Sequence, residues 1–459
     1  MSPTLAQFKE WYQKHSQSIQ EDFFAFLRFK SISTDPAHNS DTRKTASWLL
    51  EYLNNIGLKT TLWETTGHPV VYGELLTAGK ERPTILIYQH YDVQPVDPLE
   101  LWHSEPFNPI VRNNQVFARG ALDNKGQCFY SISAIKAFLQ LAEKNNVNIK
   151  VFIEGEEETG SSGTFAILDS KRKELAADHL LVVDTDIPGP GIPGITLGVR
   201  GITTMHVECQ NSKIDLHSGT HGGIALNPNR ALVTALGKMW DASGKVAIPG
   251  FYDSVRPFTK EELSIYDLTF DEEDYKKSFG VKAFANEPSY SLVESNWMRP
   301  TLEINGISGG YAGAGFKTVI PAKAIAKISC RLVPDQDPVE VQKQIENFLR
   351  SQIAKGLTLT VEFHHGAKAY RCPYPSTIAK IASASYEEVF GRDCKKLLCG
   401  ASIPIVGALA EASGANALMM GMGLSSDDIH APNEHFGLDR FEQGFLTMGG
   451  ILSRLSSTG

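Results

Sequence analysis

Three adjacent glutamates, Glu156, Glu157 and Glu158, follow the apolar run Ile149–Ile153 and lead into the turn-forming segment Thr159-Gly160-Ser161-Ser162-Gly163. An acidic run is by default a solvated face. Carboxylates crowded at the end of a buried strand, however, shift one another's pKa values or require a compensating cation. Four further segments place His or Asp in the same setting, after a β-like run and before a Gly- or Pro-marked turn. His90 and Asp92 follow Thr84–Tyr88 and share one face of an extended chain. That is the geometry of a metal-binding imidazole oriented by a carboxylate, and equally of a structural His–Asp hydrogen bond. Asp123 stands in a turn just before a helical segment, where it either binds a metal or caps the helix. Asp184 and Asp186 follow Leu180–Val183, and either can be a ligand or simply begin the turn. The loop Asp427-Asp428-Ile429-His430-Ala431-Pro432-Asn433-Glu434-His435 adds two histidines. Together the segments describe a divalent-metal site of His and carboxylate ligands.

Strand and helix alternate around these residues. Helical spacing covers Ala46–Leu53 and Gly126–Leu141, and buried strands are expected at Thr84–Tyr88, Ile149–Ile153 and Leu180–Val183. This is an α/β region with a mainly parallel sheet, whose ligands bind beyond the carboxyl ends of the strands. After the Pro/Gly connector 188–194 a second unit follows. It reads as strand Gly201–Cys209, helix Asn229–Ala242, strands Thr301–Asn305 and Thr318–Val333, helix Pro338–Ala354 and strand Leu357–His364. The order β-α-β-β-α-β is ferredoxin-like. The polar, acidic and aromatic stretch between Phe258 and Asn296 is an insertion expected to hold helices. From Ala367 the chain returns to α/β, with a helix at Ser376–Phe390, a strand at Ala417–Met420 and a final helix from Asp439. The expected organisation is a catalytic domain (1–197 and 368–459) interrupted by a lid/dimerisation domain (198–367). The glycines of 309–315 lead into an extended segment rather than a helix, so they read as a loop or hairpin, not a phosphate cradle.

With 459 residues, 42% hydrophobic and 21% charged, the chain can bury more than one core. Its net charge of -8, without a dense Lys/Arg stripe, excludes nucleic acid as an expected partner and favours small substrates. No window approaches the roughly 18 apolar residues of a membrane span. The N-terminal stretch Phe8–Leu27 has helical spacing rather than the unbroken apolar core of a signal peptide, so the expected location is cytoplasmic. Cys128, Cys209, Cys330, Cys372, Cys394 and Cys399 contain no Cys-x-x-Cys pair and read as buried thiols.

The set of motifs resembles metallopeptidase family 20, which contains aminoacylase, carnosinase, cytosolic nonspecific dipeptidase and succinyl-diaminopimelate desuccinylase. His90-x-Asp92, Gly120-Ala121-x-Asp123-x-Lys125-Gly126, Glu157-Glu158-x-Gly160-Ser161, Asp184 and His430-x-Pro432-Asn433-Glu434 occur in family order over nearly the whole chain. The cytosolic dipeptidase branch is the nearest match, through Asp215-Leu216-His217-Ser218-Gly219, Lys317-Thr318-Val319-Ile320-Pro321 and Arg331-Leu332-Val333-Pro334. The resemblance implies two divalent metal ions bridged by Asp123, with His90 and Asp184 completing one site and Glu158 and His430 the other. Asp92 would orient His90, and Glu157 would be the general base acting on a water between the ions. A cis peptide would follow Asp123. Asn124 replaces the Asp often found there, a departure not expected to touch coordination. Zinc is the expected ion, with manganese or cobalt as alternatives.

The same resemblance implies a homodimer in which His217 reaches across to stabilise the oxyanion of the partner's reaction. Arg331 would bind the substrate's terminal carboxylate through its bidentate fork, assisted by Thr318, Ser402 and His365. Glu156, Asp186, His221 and His435 receive no role, Glu156 being placed in the outer shell or in solvent. The expected activity is metal-dependent hydrolysis of dipeptides or short peptides. The alternatives are an N-acyl amino acid deacylase or desuccinylase with the same mechanism, and a noncatalytic binding protein of the same fold.

Overall fold

A computed structural model describes residues 2–458, apart from the side chain of His365. It divides into two compact units: the first runs to Leu197 and includes Cys372–Leu397 and the chain from Ile405, and the second comprises Gly198–Arg371 and Leu398–Pro404. The first unit ends where the sequence places the connector. On the return path, residues 368–371 and the segment around Ser402 belong with the second unit.

In the first unit the strands Asn148–Glu154, Thr84–His90, His179–Val183 and Asn416–Met420 lie side by side and parallel. Their near-continuous apolar sequences suit strands covered on both faces. Antiparallel edges flank this parallel centre. Val70–Leu75 and Lys59–Trp63 extend it beyond Asn148–Glu154, and Gly194–Val199 pairs beyond Asn416–Met420. The edge strands are short and partly polar, which hid them in the sequence. Helix Lys125–Leu141 is buried on nearly every face and packs against Leu438–Ser457, with Leu5–Leu27 alongside. His90 pairs with Glu154 and Val183 with Met420, so the four carboxyl ends open at one rim. A small antiparallel sheet of Ile110–Arg112, Gln115–Phe117 and His435–Gly437 carries the His430 loop to the start of helix Lys125–Leu141.

The second unit holds four antiparallel strands in the order Thr301–Gly309, Lys323–Leu332, Gly201–Gln210, Thr358–Ala367. Buried and half-exposed residues alternate along Gly201–Gln210, so one face packs under helices Pro228–Gly237 and Pro338–Gln352. Met205, Val207, Leu232, Leu236, Ile328 and Ile345 lie in this core. Asn227 and Asp337 cap the two helices, each followed by proline. The expected strand Thr318–Val333 is broken at Pro321, which cannot donate to a ladder. Val319–Ile320 instead pairs with Leu216–His217, and Lys323–Leu332 joins the main sheet. The first helix ends at Gly237 rather than Ala242, and the insertion contributes three short helices, Lys260–Leu263, Glu272–Phe279 and Leu292–Trp297. Among the described residues no helix is long and apolar enough to cross a membrane.

Candidate metal centre

Every candidate ligand stands in the first unit, at or beyond its carboxyl rim. His90 ends its strand fully buried, with Nδ1 3.1 Å from the carbonyl of Asp92 and 3.3 Å from its Oδ1. With Nδ1 protonated, Nε2 is left as an acceptor; it lies 3.2 Å from Asp123 Oδ1 and 3.6 Å from Asp184 Oδ1 and makes no hydrogen bond. Asp92 does more than orient the imidazole. Its carboxylate accepts the Ser33 hydroxyl at 2.6 Å and the backbone N–H groups of Glu157 and Glu158 at 3.2 and 3.1 Å, fixing the turn that presents both glutamates.

Asp123 has one oxygen toward His90 and the other 2.9 Å from His430 Nε2. The peptide bond after it is cis. Asn124, which the sequence left without influence on the ligands, donates to Val183 O at 2.8 Å and Asp184 Oδ1 at 2.6 Å, so it holds that carboxylate in place. Glu158 Oε2 accepts from Gln94 at 2.8 Å and lies 3.3 Å from His430 Nε2, while its buried Oε1 has no partner. The donor atoms of His90, Asp123 and Asp184 all lie within 4.8 Å of one another, as do those of Asp123, Glu158 and His430. Asp123 belongs to both triads, and Glu157 to neither.

The electrostatics ask for cations. Burial, with Asp184, Glu158 and Asp123 nearby, drives Glu157 well above the usual carboxylate range against the pull of His90. Burial and the charge of Asp123 push Glu158 up to about 7. Burial opposes ionisation of Asp123 too, yet the hydrogen bond from His430 and the adjacent His90 imidazole hold it well below the usual range. Burial works against a charged His90, but Asp184, Asp123 and Asp92 outweigh it and raise its pKa well above the ordinary value. Hydrogen bonds to Asp123 and Glu158 lift His430 to about 10. Imidazolium here stands in for a missing positive charge. Together with the orphaned His90 Nε2 and Glu158 Oε1, this donor set of imidazole nitrogens and carboxylate oxygens fits two divalent ions of the zinc, manganese or cobalt kind.

Glu156, expected at an outer position or in solvent, is largely buried and turned away from the triads, packed against Gly67 and Gly163 beside Thr65. Asp186 lies outside both triads and bridges Gly423 through its backbone. His435 stacks on Phe117 with Nδ1 3.0 Å from Asn433 O. The roles of Arg119, Lys125 and Glu434 escaped the sequence reading. Lys125 is buried, donates to Phe29 O at 2.6 Å, and is lowered to about 7 by burial.

The remaining candidates lie in the second unit. His217 is exposed, and its Nδ1 accepts the Gly219 N–H at 3.1 Å, which leaves an Nε2–H free to donate. Thr318 is exposed, and its carbonyl accepts the Ser218 N–H at 3.0 Å. Arg331 Nη1 donates to Ser402 Oγ at 2.7 Å. The loop bearing Ser402 is held by Arg200, whose Nε donates to Gly400 O at 2.7 Å and whose backbone N–H donates to Ala401 O at 3.0 Å. His221 is half-buried at the end of the short helix Ser218–His221. His365 is on strand Thr358–Ala367, and its side chain lies outside the described residues.

A parallel-centred α/β unit presenting two His/carboxylate triads that share Asp123, in a chain that also holds a ferredoxin-like unit, is the architecture of a metallopeptidase. Residues 86–454 match the model of peptidase family M20/M25/M40, and the chain belongs to that family. Among its relatives, the human Beta-Ala-His dipeptidase is 32% identical over 382 residues, covering 82% of this chain and 75% of that protein. The Cys-Gly metallodipeptidase dug1 of Schizosaccharomyces pombe is 32% identical over 399 residues, 85% of this chain and 83% of that one. The solved structure of an M20 family metallo-carboxypeptidase from Sulfolobus solfataricus superposes with a TM-score of 0.87 at 31% identity, covering 96% of this chain and 99% of that one. The chain is a dipeptidase-like metallopeptidase, of a family that uses divalent metal ions.

Proposed function

We propose that this protein hydrolyses the peptide bond of dipeptides at a dinuclear centre. Asp123 would be shared by the two ions, with His90 and Asp184 completing one site and Glu158 and His430 the other. The observation that carries the reading is the membership of Asp123 in both triads, with Glu157 beside Glu158 yet outside both. When bound, the two ions would polarise the scissile carbonyl and lower the pKa of water. Glu157 takes the proton from the attacking water and delivers it to the leaving amine, as its raised pKa allows. Asp92 keeps Glu157 in place by holding its backbone N–H. His217 donates Nε2–H to the developing oxyanion, and Arg331, braced by Ser402, takes the substrate carboxylate. Thr318 and His365 add hydrogen bonds to the substrate.

Zinc is the ion proposed, with manganese or cobalt able to serve the same donors. Cysteines scattered along the chain without a Cys-x-x-Cys pair suit a reducing, cytoplasmic setting. A homodimer through the second unit is supported by the edge strand Thr301–Gly309 and by the exposed apolar side chains of Ile214, Ile224, Ile307 and Phe316. The carboxypeptidase relative favours a second reading, removal of the last residue from longer peptides, because Arg331 would serve that substrate equally.

The test is Glu157→Gln in the metal-reconstituted protein, assayed on dipeptides, longer peptides and N-acyl amino acids. Loss of about 100-fold or more in kcat is expected, and near wild-type turnover would refute the assignment; the wild-type panel separates dipeptidase from carboxypeptidase and deacylase. For His217, mixing His217→Ala with Glu157→Ala chains should restore partial activity, and verified heterodimers without recovery would exclude action across the dimer.

A further inference from the structure

We propose that Glu434 is the positioning residue of the centre: it fixes the shared ligand Asp123 and ties it to the loop that carries His430. The inference rests on the reading of Asp123 as the bridging ligand. Glu434 is fully buried, and its carboxylate is wrapped by the turn that leads into Asp123. Oε1 accepts the N–H groups of Leu122 and Asp123, both at 3.0 Å. Oε2 accepts the N–H of Gly120 and Nη1 of Arg119, both at 2.8 Å. A turn whose successive N–H groups converge on one anion is a nest, and its shape depends on that anion. Here the anion is built in. Without it, three buried N–H groups would face each other with no acceptor, and the turn would have to open.

The same side chain sets the spacing between distant parts of the sequence. Glu434 is four residues beyond His430, and its own carbonyl accepts the N–H of Ala118 at 3.1 Å. The other end of Arg119 donates to Pro95 O at 2.9 Å, next to Gln94, which holds Glu158. The turn bearing Asp123 and the loop bearing His430 thus meet on one Arg–Glu pair, and Arg119 also reaches Pro95, the neighbour of the Gln94 that bonds Glu158. Because Asp123 serves both triads, loosening it should weaken both ions together, whereas loss of His430 should weaken only one.

The experiment compares zinc binding to the chelated wild-type protein, Glu434→Gln and His430→Ala, by competition with a chromophoric chelator, with cobalt spectra as a second readout. In Glu434→Gln the amide NH2 must face one of the two donor pairs. Both ions should then bind about 10- to 100-fold more weakly, the range seen when groups behind metal ligands are removed. Cobalt bands should change at both sites, and thermal unfolding of the metal-free protein should remain cooperative. His430→Ala should keep one tight ion. If Glu434→Gln binds two ions as tightly as the wild type while His430→Ala does not, the inference falls. It falls also if Glu434→Gln weakens only the ion that His430 binds. If His430→Ala binds both ions normally, the reading of the centre itself is wrong. Should Glu434→Gln not fold, Glu434→Asp, which keeps the charge but is one methylene short, is read by the same criteria, with a smaller parallel loss expected.

Discussion

Glu154 offers a direct test of how buried charge is handled behind this centre. It ends the strand that leads to the three glutamates and is fully buried. Oε1 accepts the Tyr88 hydroxyl at 2.6 Å and the Ser161 hydroxyl at 3.0 Å, and Oε2 accepts Thr164 Oγ1 at 2.8 Å. Burial raises its pKa from 4.5 to about 7, against the opposing effect of these hydroxyls. Below pH 4.5 the group is protonated in both the folded and the unfolded chain and has no effect. Between 4.5 and about 7 the folded chain holds a proton that the unfolded chain has released, so stability falls as pH rises. Above 7 the full penalty is present. At ~1.4 kcal/mol per pH unit, the rise from 4.5 to about 7 corresponds to about 3 kcal/mol. Glu154→Gln removes the ionisation while keeping the shape: its carbonyl accepts from Tyr88 and Ser161, and its NH2 donates to a reoriented Thr164. Calorimetry of the chelated protein at pH 5 and 8.5 is the assay. Near pH 5 the two proteins should unfold at similar temperatures. At pH 8.5 the variant should be more stable by about 3 kcal/mol, roughly 5 to 10 °C for a unit of this size. An equal shift at both pH values, or a loss at pH 8.5, would refute the reasoning.

Two further outcomes follow from the site. Metal affinity of the apoprotein should rise with pH, because His430 at about 10 and His90 well above its ordinary value must each lose a proton to bind. Chelator competition between pH 6 and 8 should show at least about tenfold tighter binding per pH unit, and a flat profile would exclude protonated imidazoles in the metal-free site. Arg331→Met should raise KM for substrates with a free carboxylate by roughly tenfold to a hundredfold, the weight of charge-assisted hydrogen bonds, with little effect on kcat. Steady-state kinetics on free and amidated substrates would check it, and equal losses on both would remove the carboxylate assignment.

The parallel centre was legible because fully buried strands are continuous apolar runs, and three of the four end in or just before a polar residue: His90, Glu154 and Asp184. Periodicity did not choose between Asp184 and Asp186, or among the three glutamates; family order did, and the geometry places Asp184 and Glu158 in the triads and leaves Asp186 and Glu156 outside. The break at Pro321 was readable from proline's missing donor alone. Other features depended on contacts distant in sequence. Residues 398–404 join the second unit through Arg200 and Arg331, some 70 to 200 residues away. Glu434 sat in a polar loop and received no role of its own. Only the pairing of His435–Gly437 with Gln115–Phe117 brings it under the Asp123 turn.

The acidic triplet shows why the ions belong to the fold as well as to the chemistry. Its three members diverge because Asp92 grips the backbone between two of them, accepting the N–H groups of both Glu157 and Glu158, while Glu156 is turned against Gly67 and Gly163. Glu158 then points to His430 and Glu157 remains free of both triads. In the absence of a cation, burial favours the protonated forms of Glu157 and Glu158, while the surrounding carboxylates, against burial, favour the protonated forms of both imidazoles. A protonated Glu157 cannot accept a proton, and a protonated His430 cannot donate a lone pair. Two divalent ions held by these residues would reverse both conditions at once, since their charge would favour carboxylate over carboxylic acid and displace the imidazolium protons. The residue proposed as base therefore becomes competent only when the ligands around it are filled, which couples occupancy of the centre to its proton transfer.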